Sequence, residues 1–129
     1  MKGTILVVDD EEDICQLFLR SLALEGFEVA AVGSGPEALA VVDREPPDLI
    51  ILDLALPGMD GIETLRRIRE RGVDSKVLIL TAYGTAQRAR EALALGAREF
   101  VSKPFDLHRL LRLLIEEAGE AAMRKELMA

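Results

Sequence analysis
The chain has 129 residues, half of them hydrophobic and 30% charged, with 16 basic residues against 23 acidic ones for a formal charge of −7. One domain fits that length, with a core large enough to need no disulfide or metal staple, and the acidic balance argues against a binder of nucleic-acid backbones. A single cysteine (Cys15) and a single histidine (His108) exclude a disulfide framework, a cysteine-built zinc site and a histidine-rich metal centre; no apolar run approaches the roughly 20 residues of a membrane span, so the expected protein is soluble and cytoplasmic, without a membrane partner.

The first apolar run, Ile5 to Val8, predicts a strand. Ile14, Leu17, Phe18 and Leu22 then recur three and four apart, which predicts a helix ended by Gly26. Phe27 to Val32 is a weaker strand, and Ala38, Leu39 and Val42 mark a second helix between the glycines at 33 and 35 and the break at Pro46-Pro47. Leu49 to Leu52 is another continuous apolar strand, followed by a helix on Ile62, Leu65 and Ile68 that Gly72 closes. Val77 to Leu80 repeats the strand pattern, and Ala89, Ala92 and Leu93 carry a fourth helix up to Gly96. Glu99 to Val101 is a short last strand. Asp106 stands where an N-cap would open a fifth helix on Leu107, Leu110, Leu111 and Leu114, with an expected weak point at Gly119 and a fraying tail near Leu127.

Five strands alternating with five helices argue for an α/β fold, an open five-stranded parallel sheet covered on both faces, as one domain over residues 1–129. Strands one, three and four are continuous apolar runs, as strands buried on both faces should be. Strands two and five read as shorter and more polar, which suits edges. With right-handed crossovers the order is 2-1-3-4-5, a flavodoxin-like arrangement whose ligand crevice lies beyond the carboxyl ends of strands one and three.

Those strand ends carry the chemistry. Strand one ends in Asp9-Asp10 and strand three in Asp53. Clustered carboxylates repel one another unless a cation neutralises them, and an all-oxygen set favours a hard cation such as Mg²⁺. Acids ahead of a helix are favourable without any metal, and Glu11, Glu12 and Asp13 are read that way; that explanation does not cover acids on two neighbouring strands. Strand four ends in Thr81-Ala82, and Lys103-Pro104 follows strand five. A hydroxyl and a fixed positive charge beside a metal-bound carboxylate suit a phosphoryl group. Taken alone, Thr81 reads as a strand-end hydroxyl bonded to backbone and Lys103 as a solvated lysine. Together, four strand ends deliver compatible chemistry to one place.

The motifs Ile5-Leu-Val-Val-Asp-Asp10, Asp53-Leu-Ala-Leu-Pro-Gly-Met-Asp-Gly61, Leu80-Thr-Ala-Tyr-Gly84 and Phe100-Val-Ser-Lys-Pro-Phe-Asp106, in this order, resemble the receiver domains of two-component response regulators over essentially the whole chain. The last two are similar in wording to single-domain sporulation-relay regulators and to the receivers of enhancer-binding activators. The resemblance implies that Asp53 accepts a phosphoryl group from a sensor histidine kinase or a histidine phosphotransfer protein. It implies that Asp10, helped by Asp9, together with Asp53 and the carbonyl of Ala55, holds Mg²⁺, with Mn²⁺ as a substitute. Lys103, joined to Pro104 by a cis bond, would pair with the phosphoryl oxygens. Thr81 would bond one of those oxygens, and Phe100 would act as the switch aromatic, remodelling the face of helix four, strand five and helix five for a downstream effector.

Further expectations follow from that likeness. The only reaction would be the protein's own phosphorylation and dephosphorylation, so it would be a signalling protein rather than a metabolic enzyme, a monomer or a weak phosphorylation-dependent dimer. Ala55 offers no group to hold a hydrolytic water and Tyr83 flanks its path, so the phosphorylated state would be long-lived and would depend on a partner phosphatase or on reverse transfer. Phe100 stands where relatives commonly carry tyrosine. Three rival readings stand beside this one. The chain could be the excised or naturally short regulatory half of a DNA-binding transcription factor; the one helix expected after Lys103 is not itself a DNA-binding or output domain. A flavodoxin-like cofactor binder would need a glycine- and hydroxyl-rich loop where Asp9-Asp10-Glu11-Glu12 would repel phosphate. An aspartyl phosphatase would need a second acid at the position of Ala55. Arg88, Arg90, Arg98, Arg109 and Arg112 read as a solvated basic face rather than a nucleic-acid contact.

Overall fold
The computed structural model describes residues 2–82 and 84–128. In chain order the elements are β1 (Thr4–Val8), α1 (Glu12–Leu24), β2 (Glu28–Val32), α2 (Gly35–Arg44), β3 (Leu49–Leu52), α3 (Gly61–Glu70), β4 (Lys76–Thr81), α4 (Ala86–Ala94), β5 (Glu99–Ser102) and α5 (Leu107–Met128). The strands form one parallel sheet in the expected order β2-β1-β3-β4-β5. None of the described helices is long and apolar enough to cross a membrane.

Alternation along the central strands decides which helices cover which face. Leu6, Val8, Ile50, Leu52, Val77 and Ile79 share one side with Leu39 and Val42 of α2, Leu65 and Ile68 of α3, and Ala92 of α4. Ile5, Val7, Leu49, Ile51, Leu78 and Leu80 share the other with Phe18 and Leu22 of α1 and with Leu110, Leu114 and Ala118 of α5. Complete burial of each large aliphatic side chain contributes about 1.5–3 kcal/mol, so the three central strands and the helix faces packed on them are the main source of stability. Neither β2 nor β5 has a buried residue, as suits edges. The expectation that both edges are shorter than the central strands does not hold: β2 has five residues, as many as β1, and β5 has four, as many as β3. Edge character here comes from side-chain polarity, not strand length.

Local chemistry sets the helix ends. Ser34, Asp60, Thr85 and Asp106 each accept a hydrogen bond from a backbone N–H three residues on, at 3.3, 2.8, 3.1 and 3.3 Å. α1 ends in a Schellman turn: Gly26 N–H reaches Ala23 O and Phe27 N–H reaches Leu22 O, with Gly26 at φ 95°. The weak point expected at Gly119 is absent, and α5 runs unbroken to Met128. Two contacts hold its later turns. Ala118 is fully buried, and Glu117 lies 2.9 Å from the Lys76 ammonium at the start of β4, with Glu120 at 3.4 Å from the same group.

Candidate functional site
The parallel register aligns the strand ends. Asp9 N–H donates to Val32 O, Asp53 N–H to Val8 O and Lys103 N–H to Thr81 O, at 3.1, 2.9 and 3.0 Å. The first residue after each strand is thereby tied to its neighbour, and its side chain is delivered to the carboxyl edge of the sheet. Asp9 and Asp53 are buried there, at 4% and 5% exposure, while Asp10 is exposed. One carboxylate oxygen from each of the three lies within 4.8 Å of the others. The Lys103 ammonium donates to Asp9 Oδ2 at 2.8 Å, Glu11 Oε2 at 3.1 Å and Asp53 Oδ2 at 3.2 Å. The Lys103-Pro104 bond is cis, and the residue that follows it, Phe105, stacks on Phe18 of α1 with ring centres 5.9 Å apart.

Backbone groups hold the acids in place. Asp9 Oδ1 accepts from Glu11 N–H at 2.8 Å, and Asp53 Oδ1 accepts from Ala55 N–H at 3.0 Å. The Cys15 thiol donates to the Asp9 carbonyl at 3.3 Å. At the mouth of α3, Gly61 N–H donates to Leu54 O at 2.9 Å, and a side chain on Gly61 would collide with the Asp53 carbonyl oxygen and Leu54 Cα. That close approach requires glycine and fixes the loop that follows Asp53.

Electrostatics favour an added cation. Burial pushes the Asp9 carboxyl above its ordinary value, opposed by the hydrogen bonds from Lys103 and Glu11 N–H. Burial would lower the Lys103 ammonium, but its bonds to Asp9 and Glu11 and the charges of Asp9 and Asp53 outweigh it, so its pKa is raised. Lys103 thus stays charged without removing the whole cost of burying Asp9. The donor set is oxygen only, two of the three carboxylates are buried, and the third faces solvent, which fits a hard divalent cation that keeps part of its water.

The other expected residues are also accounted for. Thr81 is fully buried at the end of β4, and Phe100 is half-buried on β5. A side chain on Gly84 would come within 2.5 Å of Phe100 Cε1 and 3.6 Å of Thr81 Cγ2, so the Phe100 ring lies close against Gly84. Ala55 is partly buried beside Asp53; Tyr83 lies outside the described residues. Two readings need correction. Glu11 is not simply an acid at a helix terminus, because its carboxylate reaches Lys103, 92 residues away. Arg88 is not a solvated cation: its side chain is 34% exposed, lies 3.8 Å from Asp60 and reaches Leu54 O at 3.5 Å. Neither contact has a local signal in the sequence.

Comparison with known proteins agrees with this geometry. Residues 5–115 match the family model described as the response regulator receiver domain. The chain is 39% identical over 110 residues to sporulation initiation phosphotransferase F of Bacillus subtilis, covering 85% of this chain and 89% of that one. It is 37% identical over 124 residues to the regulatory protein AtoC of Escherichia coli, covering 95% of this chain but only 27% of that longer protein. The signal receiver domain of a putative Luxo repressor protein from Vibrio parahaemolyticus superimposes with a TM-score of 0.91 at 28% identity, covering 100% of this chain and 99% of that one. With parallel strands in this order, acids at the ends of β1 and β3 and a lysine after β5, the chain belongs to the response regulator receiver domain family.

Proposed function
We propose that Asp53 is the phosphoacceptor of this receiver, taking its phosphoryl group from a phosphohistidine on a sensor kinase or phosphotransfer protein. The observation that carries the reading is the lysine bridge: one partly buried ammonium contacts both Asp9 and Asp53 at the sheet edge. An Asp53 carboxylate oxygen forms a bond to phosphorus as the phosphorus–nitrogen bond of the donor breaks, and the electron pair leaves with the imidazole, which takes up a proton. Lys103 holds the acceptor carboxylate and then meets the phosphoryl oxygens, where a fixed charge is worth more than in water. Thr81 bonds one of those oxygens. Asp9, Asp10, Asp53 and the Ala55 carbonyl hold Mg²⁺, with Mn²⁺ as a substitute. Bound there, the cation supplies the positive charge that offsets the carboxylates and the phosphoryl oxygens.

The signal leaves through the surface of α4, β5 and α5. Phosphorylation stabilises the arrangement in which Thr81 and Lys103 contact the phosphoryl group, and Phe100 follows Thr81. The receiver unit takes in residues 1–129, works in the cytoplasm as a monomer or weak phosphorylation-dependent dimer, and catalyses only its own phosphorylation and hydrolysis. A partner phosphatase or reverse transfer to histidine clears the signal, and a downstream effector reads it. Neither nucleic acid nor a membrane is bound through this domain. The test is Mg²⁺-dependent phosphate incorporation from acetyl phosphate. Wild type should label, chelation should stop the labelling, and Asp53→Asn should not label; undiminished labelling of Asp53→Asn overturns the assignment.

A further inference from the structure
The Lys103 ammonium has three N–H donors, and three carboxylates take them, from Asp9, Glu11 and Asp53. A phosphoryl oxygen arriving at Asp53 therefore finds no vacant donor, and one existing bond must yield. The three acceptors are unequal. The Asp9 and Asp53 side chains are 3% and 5% exposed, whereas that of Glu11 is 59% exposed. Leaving the buried Asp9 carboxylate unpaired is strongly unfavourable, and Asp53 keeps its charge until its bond to phosphorus forms, whereas the solvated Glu11 carboxylate is rehydrated and its ion pair is weak. Glu11 is the acceptor that yields.

The local structure of Glu11 points the same way. It occupies the N-cap of α1 yet makes no side-chain cap bond, whereas Ser34, Asp60, Thr85 and Asp106 all bond a backbone N–H at the start of their helices. Its own N–H is tied to Asp9 Oδ1, which anchors it to the site, and its carboxylate turns to Lys103 instead of the helix. A locally favoured interaction is forgone where a site gains from its absence.

We propose that Glu11 is a positioning residue for phosphoryl transfer: its carboxylate occupies, in the unphosphorylated protein, the Lys103 donor that the phosphoryl group takes over. This rests on the reading of Asp53 as phosphoacceptor. Glu11 parks the ammonium beside Asp53 and competes with the phosphoryl oxygens for it, which sets how readily the site phosphorylates. Removing the competing charge frees a donor for the transition state, where charge spreads over the phosphoryl oxygens.

The experiment compares wild type, Glu11→Gln and Glu12→Gln with acetyl phosphate and saturating Mg²⁺. In that reaction the phosphorus–oxygen bond of the donor breaks, acetate leaves and the Asp53 phosphate forms. Glu12 is exposed on the same helix and makes none of the three Lys103 bonds, so Glu12→Gln measures the effect of deleting one nearby negative charge. Glu11→Gln should phosphorylate three- to tenfold faster than wild type, and Glu12→Gln less than twofold faster. Half-saturation by beryllofluoride, an acyl-phosphate mimic, should fall by a similar factor in Glu11→Gln alone, a readout that a purely structural role would not move. Equal rates in the two variants would reduce the effect to general charge and overturn the proposal. Slower phosphorylation with weaker Mg²⁺ binding in Glu11→Gln would make Glu11 part of the metal site and overturn it as well. Failure of the phosphoacceptor reading looks different, since wild type would then carry no phosphate that depends on Asp53.

Discussion

Gly61 tests how tightly the backbone closes around Asp53. An added methyl would fall on the Asp53 carbonyl oxygen and Leu54 Cα, and both are backbone, so no side chain can swing aside. Overpacking of this kind costs about 1–3 kcal/mol. Loss of the 2.9 Å bond from Gly61 N–H to Leu54 O adds roughly 0.5–1.5 kcal/mol. Alanine returns at most about 1 kcal/mol through its helix propensity, so from the middle of these ranges Gly61→Ala should lower stability by about 2–3 kcal/mol. At ~4 °C per kcal/mol for a domain of this size, the melting midpoint should drop by roughly 10 °C. Gly119 supplies the opposite sign, because it lies inside α5 and a methyl group added there would meet nothing within 4 Å; Gly119→Ala should raise stability by about 0.5–1 kcal/mol. Urea unfolding with unchanged m-values gives both numbers, and a Mg²⁺ titration of Gly61→Ala should show weaker binding because the Asp53 loop is displaced. A Gly61→Ala protein within about 0.5 kcal/mol of wild type, with undiminished Mg²⁺ binding, would refute the close approach.

Burial raises the pKa of Asp9, so its ionised form opposes folding; stability from this group is present below the unfolded value of 3.8 and is lost as pH rises through the raised folded value. Asp9→Asn should accordingly be more stable than wild type at neutral pH without Mg²⁺, with the gap closing as pH falls towards that value, and added Mg²⁺ should stabilise it less than it stabilises wild type; equal denaturation midpoints at neutral pH would contradict this. Ala55→Asn should lose its phosphoryl group roughly tenfold faster, since one water-positioning hydrogen bond is worth about 1–2 kcal/mol of barrier; unchanged decay at the same Mg²⁺ concentration would show that residue 55 does not limit the lifetime. Beryllofluoride should shift amide signals across α4, β5 and α5 in wild type, and Gly84→Ala, which crowds the Phe100 ring, should weaken that response. Shifts confined to the loops around Asp53 would mean that this face is not coupled to the site.

Much of the architecture was legible in sequence order, because burial on both faces demands continuous apolar strands such as Leu49 to Leu52, and helices repeat every three to four residues. Strand order followed from crossover handedness and from the polarity of β2 and β5, and the positions of Asp9, Asp53, Thr81 and Lys103 followed from strand order. Helix endings were partly legible as well. Gly26 marked a turn through its own backbone preference, but Gly119 looked like a weakness only until Ala118 and the Lys76–Glu117 pair were seen to hold α5 from the sheet side. The sequence by itself thus determined which residues reach the carboxyl edge, since the period of two along a strand and the side of each crossover are local or topological properties. Only the tertiary structure decided how those residues share one ammonium: Glu11 and Lys103 lie 92 positions apart, and the choice among carboxylate acceptors depends on burial and distance, which no local pattern in a chain encodes.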